Sequence, residues 1–387
     1  MKNLKKTALF LMLTASLIGC KKEEKTEAMP ETTDDKKSSI VKSDYATMAD
    51  GTKIDQYKLT NANGMEMDVI TYGGIITKLT APDKNGKFED IVLSYTTPEE
   101  YFNGNPYFFG GIIGRYGNRI AKGKFTLDGK AYQLTVNDGP NSLHGGKGFD
   151  KRVWTAEPVE GEYPSIKFTY TARDGEEGYP GNLKVSVTYK LTNENALEID
   201  YEAESDKKTI VNLTQHSYFN LSGNGKTILD HDLALAADKF LPVDATLIPT
   251  GELKAVKGTP FDFTSAKAIG KDIEVADDQL KKGQGYDHCW VFTDAGNSLK
   301  EVGSLYHAAS GRLMTISTTE PAIQFYSGNF LDGTHAAKTG GKYEKRSGLC
   351  LETQHYPDAP NQSKFPSTVL EPGKKYVSKT VYRFSVK

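Results

Sequence analysis

A large, antiparallel, all-β fold is what this sequence predicts, and three observations predict it. Residues 184–191 alternate Val185, Val187, Tyr189 and Leu191 against Lys184, Ser186, Thr188 and Lys190. Residues 197–203 alternate the same way after an Asn193-Glu194-Asn195 turn, so the two runs read as paired strands with one face in a core and one toward water. Residues 125–134 hold two more alternating runs around Asp128-Gly129, a hairpin signal. Helical periodicity is nearly absent, and 97–102 is the best short candidate. Many strands with few helices make a sandwich or a barrel, and periodicity alone does not choose between them.

Taken in chain order, the first nineteen residues read as a targeting segment. Lys2, Lys5 and Lys6 give it a positive start, and the apolar run at 8–18 is too short to span a bilayer. It ends in Leu17-Ile18-Gly19-Cys20, which resembles a bacterial lipobox, so cleavage before Cys20 and lipidation of its thiol are expected. From Lys21 to Ser39 the chain is rich in Lys, Glu, Asp, Thr and Ser, with no aromatic residue. Such a stretch buries too little apolar surface to offset its ordering entropy, so 20–44 is expected to be a flexible tether. The protein would then sit in the cell envelope, held at a membrane only through acyl chains.

Residues 45–387 follow without a linker-like break and are read as one domain. The net charge is −2 with acidic and basic residues interspersed, which excludes a nucleic-acid footprint. Besides Cys20 only Cys289 and Cys350 remain, too few for a disulfide framework and not in metal-ligand spacing, so no metal site is expected. Both are expected to be buried free thiols.

Three segments carry strands whose polar side does not look like a solvent face. In 211–221, Val211 and Leu213 oppose Asn212, Thr214, His216 and Tyr218. In 321–330, Ile323 and Phe325 oppose Gln324 and Tyr326; in 349–355, Leu349 and Leu351 oppose Cys350, Glu352 and Gln354. Histidine, tyrosine, glutamine and a single carboxylate suit a polar ligand better than bulk water. Loops add to this set: His144 precedes a glycine pair, where backbone can approach a ligand closely, and Asn118 and Arg119 lie on a glycine-flanked turn.

At these residues the chain resembles the aldose 1-epimerases, or galactose mutarotases. The carrying segments are GRYGNRI (114–120), NSLHGG (141–146), NLTQHSYFNLSG (212–223), YDHCW (286–290), PAIQFYSGNFL (321–331) and GLCLETQHYPDAPN (348–361), in this order along the chain. The resemblance implies a galactose-mutarotase-like β-sandwich with the sugar in an open cleft. It implies that Glu352 is the general base, His216 the general acid and His144 a second histidine near the ring oxygen. Asn118, Arg119, Tyr218, Asp287 and Gln324 match positions that hold sugar hydroxyls, and Asp287 could instead orient another group. No cofactor is implied; a calcium ion accompanies some members, and no ligand pattern for one is readable here. A monosaccharide substrate and a monomeric state are expected.

The chemistry suits the residues. Interconverting anomers requires a base to take the C1 hydroxyl proton while an acid protonates the ring oxygen; bond rotation and reclosure follow. Histidine gives and recovers a proton near neutrality, and Arg119 can stabilise a developing oxyanion. Two other classes compete. A glycoside hydrolase would use paired carboxylates, for which Asp287 and Glu352 could be cast. A non-catalytic sugar-binding lipoprotein would need no acid–base pair.

Overall fold

Two antiparallel sheets face each other across one hydrophobic core in the computed structural model, which describes residues 38–223, 226–294 and 298–387. The choice between barrel and sandwich falls to the sandwich. The larger sheet has nine strands. From one edge these are Thr155–Val159, Ser165–Ala172, Leu183–Leu191, Ala196–Ser205, Lys375–Val386, Arg312–Thr318, Lys300–His307, Asp232–Leu235 and Lys267–Ala268. The smaller runs Tyr218–Phe219, Leu349–Gln354, Ala322–Tyr326, Asp287–Phe292, Ala237–Leu241 and Lys254–Ala255. The expected pair 184–191 and 197–203 forms the third and fourth strands of the larger sheet, Val187 opposite Tyr201, with its apolar side buried. The hairpin forms at Lys124–Leu127 and Lys130–Gln133, and the short helix at Pro98–Phe102.

Between the sheets, Val187, Tyr189, Ile199, Ile316 and Tyr382 from one side meet Leu349, Leu351, Ile323, Phe325 and Trp290 from the other. The Tyr382 hydroxyl donates to the Leu351 carbonyl at 2.7 Å, tying the layers together. The smaller sheet is buried on both faces: every residue of Leu349–Gln354, Ala322–Tyr326 and Asp287–Phe292 is buried. Its outer face is covered by loops over two apolar patches, one containing Tyr218, Tyr326 and Cys350, the other Cys289, Val291 and Ala322. This is why its polar residues did not read as a solvent face.

Two sequence expectations need correction here. The stretch 211–221 is not one strand but short pieces, Thr214–Gln215 paired with Ile112–Ile113 and Tyr218–Phe219 at the edge of the smaller sheet. Side-chain amides take over where ladder bonds stop: Asn212 binds the Gly117 and His355 carbonyls, and Gln215 binds the Gly110 carbonyl. The second correction concerns the tether, expected to run through residue 44. Residues Ser39–Thr47 form a strand paired with Lys53–Thr60, at the edge of a five-stranded sheet. Its side chains are mostly exposed, so it lacks an apolar signature; main-chain pairing and the half-buried Ile40 and Tyr45 hold it. The expected targeting segment, Cys20 and the tether up to residue 37 lie outside the described residues.

Candidate active site

Strand register assembles the site. On the outer face of the smaller sheet, Asp287, Tyr326, Cys350 and Tyr218 form one cross-strand row, and Cys289, Gln324 and Glu352 form the next. Period two then places Cys350 and Glu352 on one face of a single strand, with Asp287 diagonal to Gln324. Above this floor, Arg119–Ile120 pairs with Ser142–Leu143, Arg119 opposite Leu143, which zips the Asn118 loop to the His144 loop. Asn118 and His144 both adopt left-handed backbone, φ 60 and 51. The glycines after His144 serve this packing and not ligand approach. A Cβ on Gly145 would lie 2.3 Å from the Gly114 carbonyl oxygen.

The resulting cleft is an open cavity of ≈ 520 Å³. Asn118, Arg119, His144, His216, Tyr218, Asp287 and Glu352 line it, seven of the eight residues singled out from the sequence as catalytic or sugar-holding. Gln324 is not among the lining residues; it is buried on the same face between Cys289 and Glu352, and its amide nitrogen donates to Asp287 Oδ1 at 2.7 Å. Asp138, Phe108 and Phe330 also line the cleft, without a functional signal of their own in the sequence. Asp138 accepts from Arg119 Nε at 2.7 Å, while Arg119 Nη1 lies 3.7 Å from Asp287 Oδ2, so one guanidinium spans two carboxylates. Asp138 sits in an Asn-Asp-Gly turn and Phe108 in an aromatic run, so each reads as turn or core.

His216 Nε2 is 3.6 Å from Glu352 Oε1, and both side chains are almost wholly buried. Glu352 Oε2 and Gln324 Oε1 have no hydrogen-bond partner among the described residues. Burial pushes the Glu352 carboxyl well above its ordinary range, with the Asp287 charge adding and Arg119 opposing. Burial pushes the His216 imidazole down to about 3. The pair therefore resists separate charges and holds one proton between its two members over the range between.

His144 meets His216 edge-to-face, centroids 5.1 Å apart, and Phe108 packs on both rings. The Asn118 backbone N–H donates to His144 Nδ1 at 3.1 Å. That bond leaves the proton of a neutral His144 on Nε2, and burial, with His216 and Arg119 nearby, keeps the ring neutral. His144, His216 and Glu352 bring potential ligand atoms within 4.8 Å of one another. A metal on His144 Nε2 would force a proton onto Nδ1 against the Asn118 N–H, so the trio is a hydrogen-bonding set rather than a ligand set.

The remaining signature residues build the frame. Asp358 Oδ1 accepts from the Ala121 N–H, and its own N–H donates to the Arg119 carbonyl. Asn220 binds the Ser347 carbonyl at 2.7 Å. Both cysteines are free and buried, and Cys350 Sγ lies 3.5 Å from His216 Nδ1.

A family model described as aldose 1-epimerase matches residues 55–383. The chain is 45% identical over 351 residues to the pig galactose mutarotase, covering 90% of this chain and 99% of that one. It is 39% identical over 342 residues to the aldose 1-epimerase of Escherichia coli, covering 88% and 97%. The crystal structure of a galactose 1-epimerase from Lactobacillus acidophilus superposes with a TM-score of 0.79 at 31% identity, covering 90% of this chain and 99% of that one.

Proposed function

Since the chain belongs to the aldose 1-epimerase family and is an isomerase that interconverts sugar anomers, we propose that Glu352 and His216 carry the reaction on free aldoses such as galactose and glucose. One observation carries the assignment: an acid and a base 3.6 Å apart on the floor of a sugar-sized cleft, with Glu352 Oε2 buried and without a hydrogen-bond partner among the described residues. Glu352 takes the C1 hydroxyl proton while His216 Nε2 gives one to the ring oxygen, opening the ring to the aldehyde. Rotation about C1–C2 presents the other carbonyl face, and the transfers run backward on closure. His144, held neutral with Nε2–H outward, donates to the ring oxygen without titrating. Asn118, Arg119, Tyr218 and Asp287 hold hydroxyls, and Gln324 acts by fixing Asp287.

The chemistry runs on side chains, with no cofactor step. All the groups named lie on one chain, so none of the roles assigned here requires a second copy, and the enzyme is proposed to act as a monomer. Polarimetry on freshly dissolved α-galactose, α-glucose, arabinose and xylose tests the substrate reading; mutarotation of galactose and glucose should be accelerated above the spontaneous rate. No acceleration of either, or release of a reducing end from a disaccharide, would overturn it.

The lipobox-like Leu17-Ile18-Gly19-Cys20 and the polar stretch behind it support a lipid-anchored envelope protein. The Lys21-Lys22-Glu23-Glu24 run favours an outward-facing anchor. Cys20→Ala should release the protein from the membrane fraction or leave an unprocessed precursor. An unmodified Cys20 in soluble wild-type protein would refute the anchor and leave the enzymology untouched.

A further inference from the structure

The Arg119 guanidinium lies between two carboxylates and closes on only one of them. Nε donates to Asp138 Oδ2 at 2.7 Å, while Nη1 stops 3.7 Å from Asp287 Oδ2, too far for a direct hydrogen bond. The gap runs against the local charges. The Arg119 and Asp287 side chains are each 8% exposed and that of Asp138 is 35% exposed, so the better-shielded attraction is to Asp287. Two bonds hold the pair apart. Gln324 Nε2 holds Asp287 Oδ1 at 2.7 Å, and Asp138 holds Arg119. The loop that carries Asp138 is fixed by its own neighbours. Asn137 accepts the Leu143 N–H at 2.8 Å and donates to the Leu143 carbonyl at 3.0 Å, and the Asp138 and Asn141 backbones exchange bonds at 3.1 and 2.9 Å. Leu143 is also the residue paired with Arg119, so one short strand sets both ends of the Arg119–Asp138 contact.

We propose that Asp138 is a positioning residue: it keeps Arg119 from closing on Asp287 and so preserves a notch, Nη1 on one side and Oδ2 on the other, that takes a single sugar hydroxyl. A hydroxyl both donates and accepts. Its oxygen can stand at hydrogen-bond distance from two atoms 3.7 Å apart, accepting from Nη1 and donating to Oδ2. A direct Arg119–Asp287 ion pair would satisfy the same two atoms internally, and the sugar would have to break it to bind. A substrate with hydrogen in place of that hydroxyl gives the notch nothing to hold. Asp138 acts through Arg119 and pre-organises the two groups that meet the sugar. This inference rests on Arg119 and Asp287 holding sugar hydroxyls, as proposed above.

The test is polarimetric KM and kcat for galactose and for its deoxy forms at C2, C3, C4 and C6, in wild type, Asp138→Ala and Asp138→Asn. Wild type should show a raised KM for the deoxy sugar that leaves the notch empty. Asp138→Ala should raise the galactose KM about tenfold, with kcat within about twofold, the size expected for losing one charge-assisted hydrogen bond to the substrate. For the deoxy sugar that never used the notch, the same substitution should leave KM unchanged. Asp138→Asn keeps an oxygen for Arg119 Nε and should restore most of the galactose KM. An unchanged galactose KM in folded Asp138→Ala would overturn the proposal. So would an equal rise for galactose and every deoxy form, which is what a displaced loop would give. Failure of the hydroxyl-holding roles themselves would appear separately, in wild type, as one KM shared by galactose and all its deoxy forms.

Discussion

Replacing Glu352 with glutamine is the sharpest test of the proposed chemistry. The amide keeps the shape of a side chain that is 2% exposed and removes its ability to take a proton. Loss of a general base costs ~10²–10⁴-fold, or about 2.7–5.5 kcal/mol of barrier. Binding should persist, because Asn118, Arg119, Asp287 and Tyr218 are untouched, so the loss falls on kcat. Stability supplies a second readout. The folded carboxyl lies above its ordinary value, so its stabilising share is full below the unfolded pKa and is lost as pH rises through the folded one. Glu352→Gln carries no such titration. Its Tm should therefore be at least that of wild type near neutrality, and the wild-type decline attributable to Glu352 should vanish. The assay is polarimetry of freshly dissolved α-glucose, with the spontaneous rate subtracted, beside thermal melts across pH. A folded variant within about tenfold of the wild-type rate would refute the base assignment.

The other predictions follow from the same geometry. The rate should be bell-shaped in pH, because the productive pair carries one proton: it is lost below about 3, where His216 takes a second, and above the raised Glu352 value, where none is left to give. A flat profile over that span in folded protein would contradict the pairing. Gln324→Leu strips the donor from Asp287, so KM should rise about tenfold with kcat little changed; polarimetric initial rates showing the reverse split would place Gln324 in the chemistry. A chain starting at residue 45 loses the 39–44 half of the edge strand. It should melt several degrees below one starting at 38, from the loss of roughly 2–3 kcal/mol of edge pairing; equal Tm values would show that segment to be dispensable.

Much was legible in the sequence, for local reasons. Alternation in 184–191 and 197–203 and the Asp-Gly turn at 128–129 are set by neighbouring residues, so strands and hairpin could be read before any contact was known. His216 and Glu352 stood out because their polar partners fit neither a core nor a wet face. Tertiary structure decided the rest. Which sheet closes on which depends on contacts far apart in sequence, such as Tyr382 on Leu351. The breaks in 211–221 arise where Asn212 and Gln215 replace ladder bonds with bonds to distant loops. The edge strand 39–47 has no apolar period because pairing, not burial, holds it. Gln324 turns its amide to Asp287, Asp138 enters to hold Arg119, and Cys350 meets His216 across 134 residues of chain. Periodicity reports which face a side chain occupies; only cross-strand register reports which neighbour it finds there.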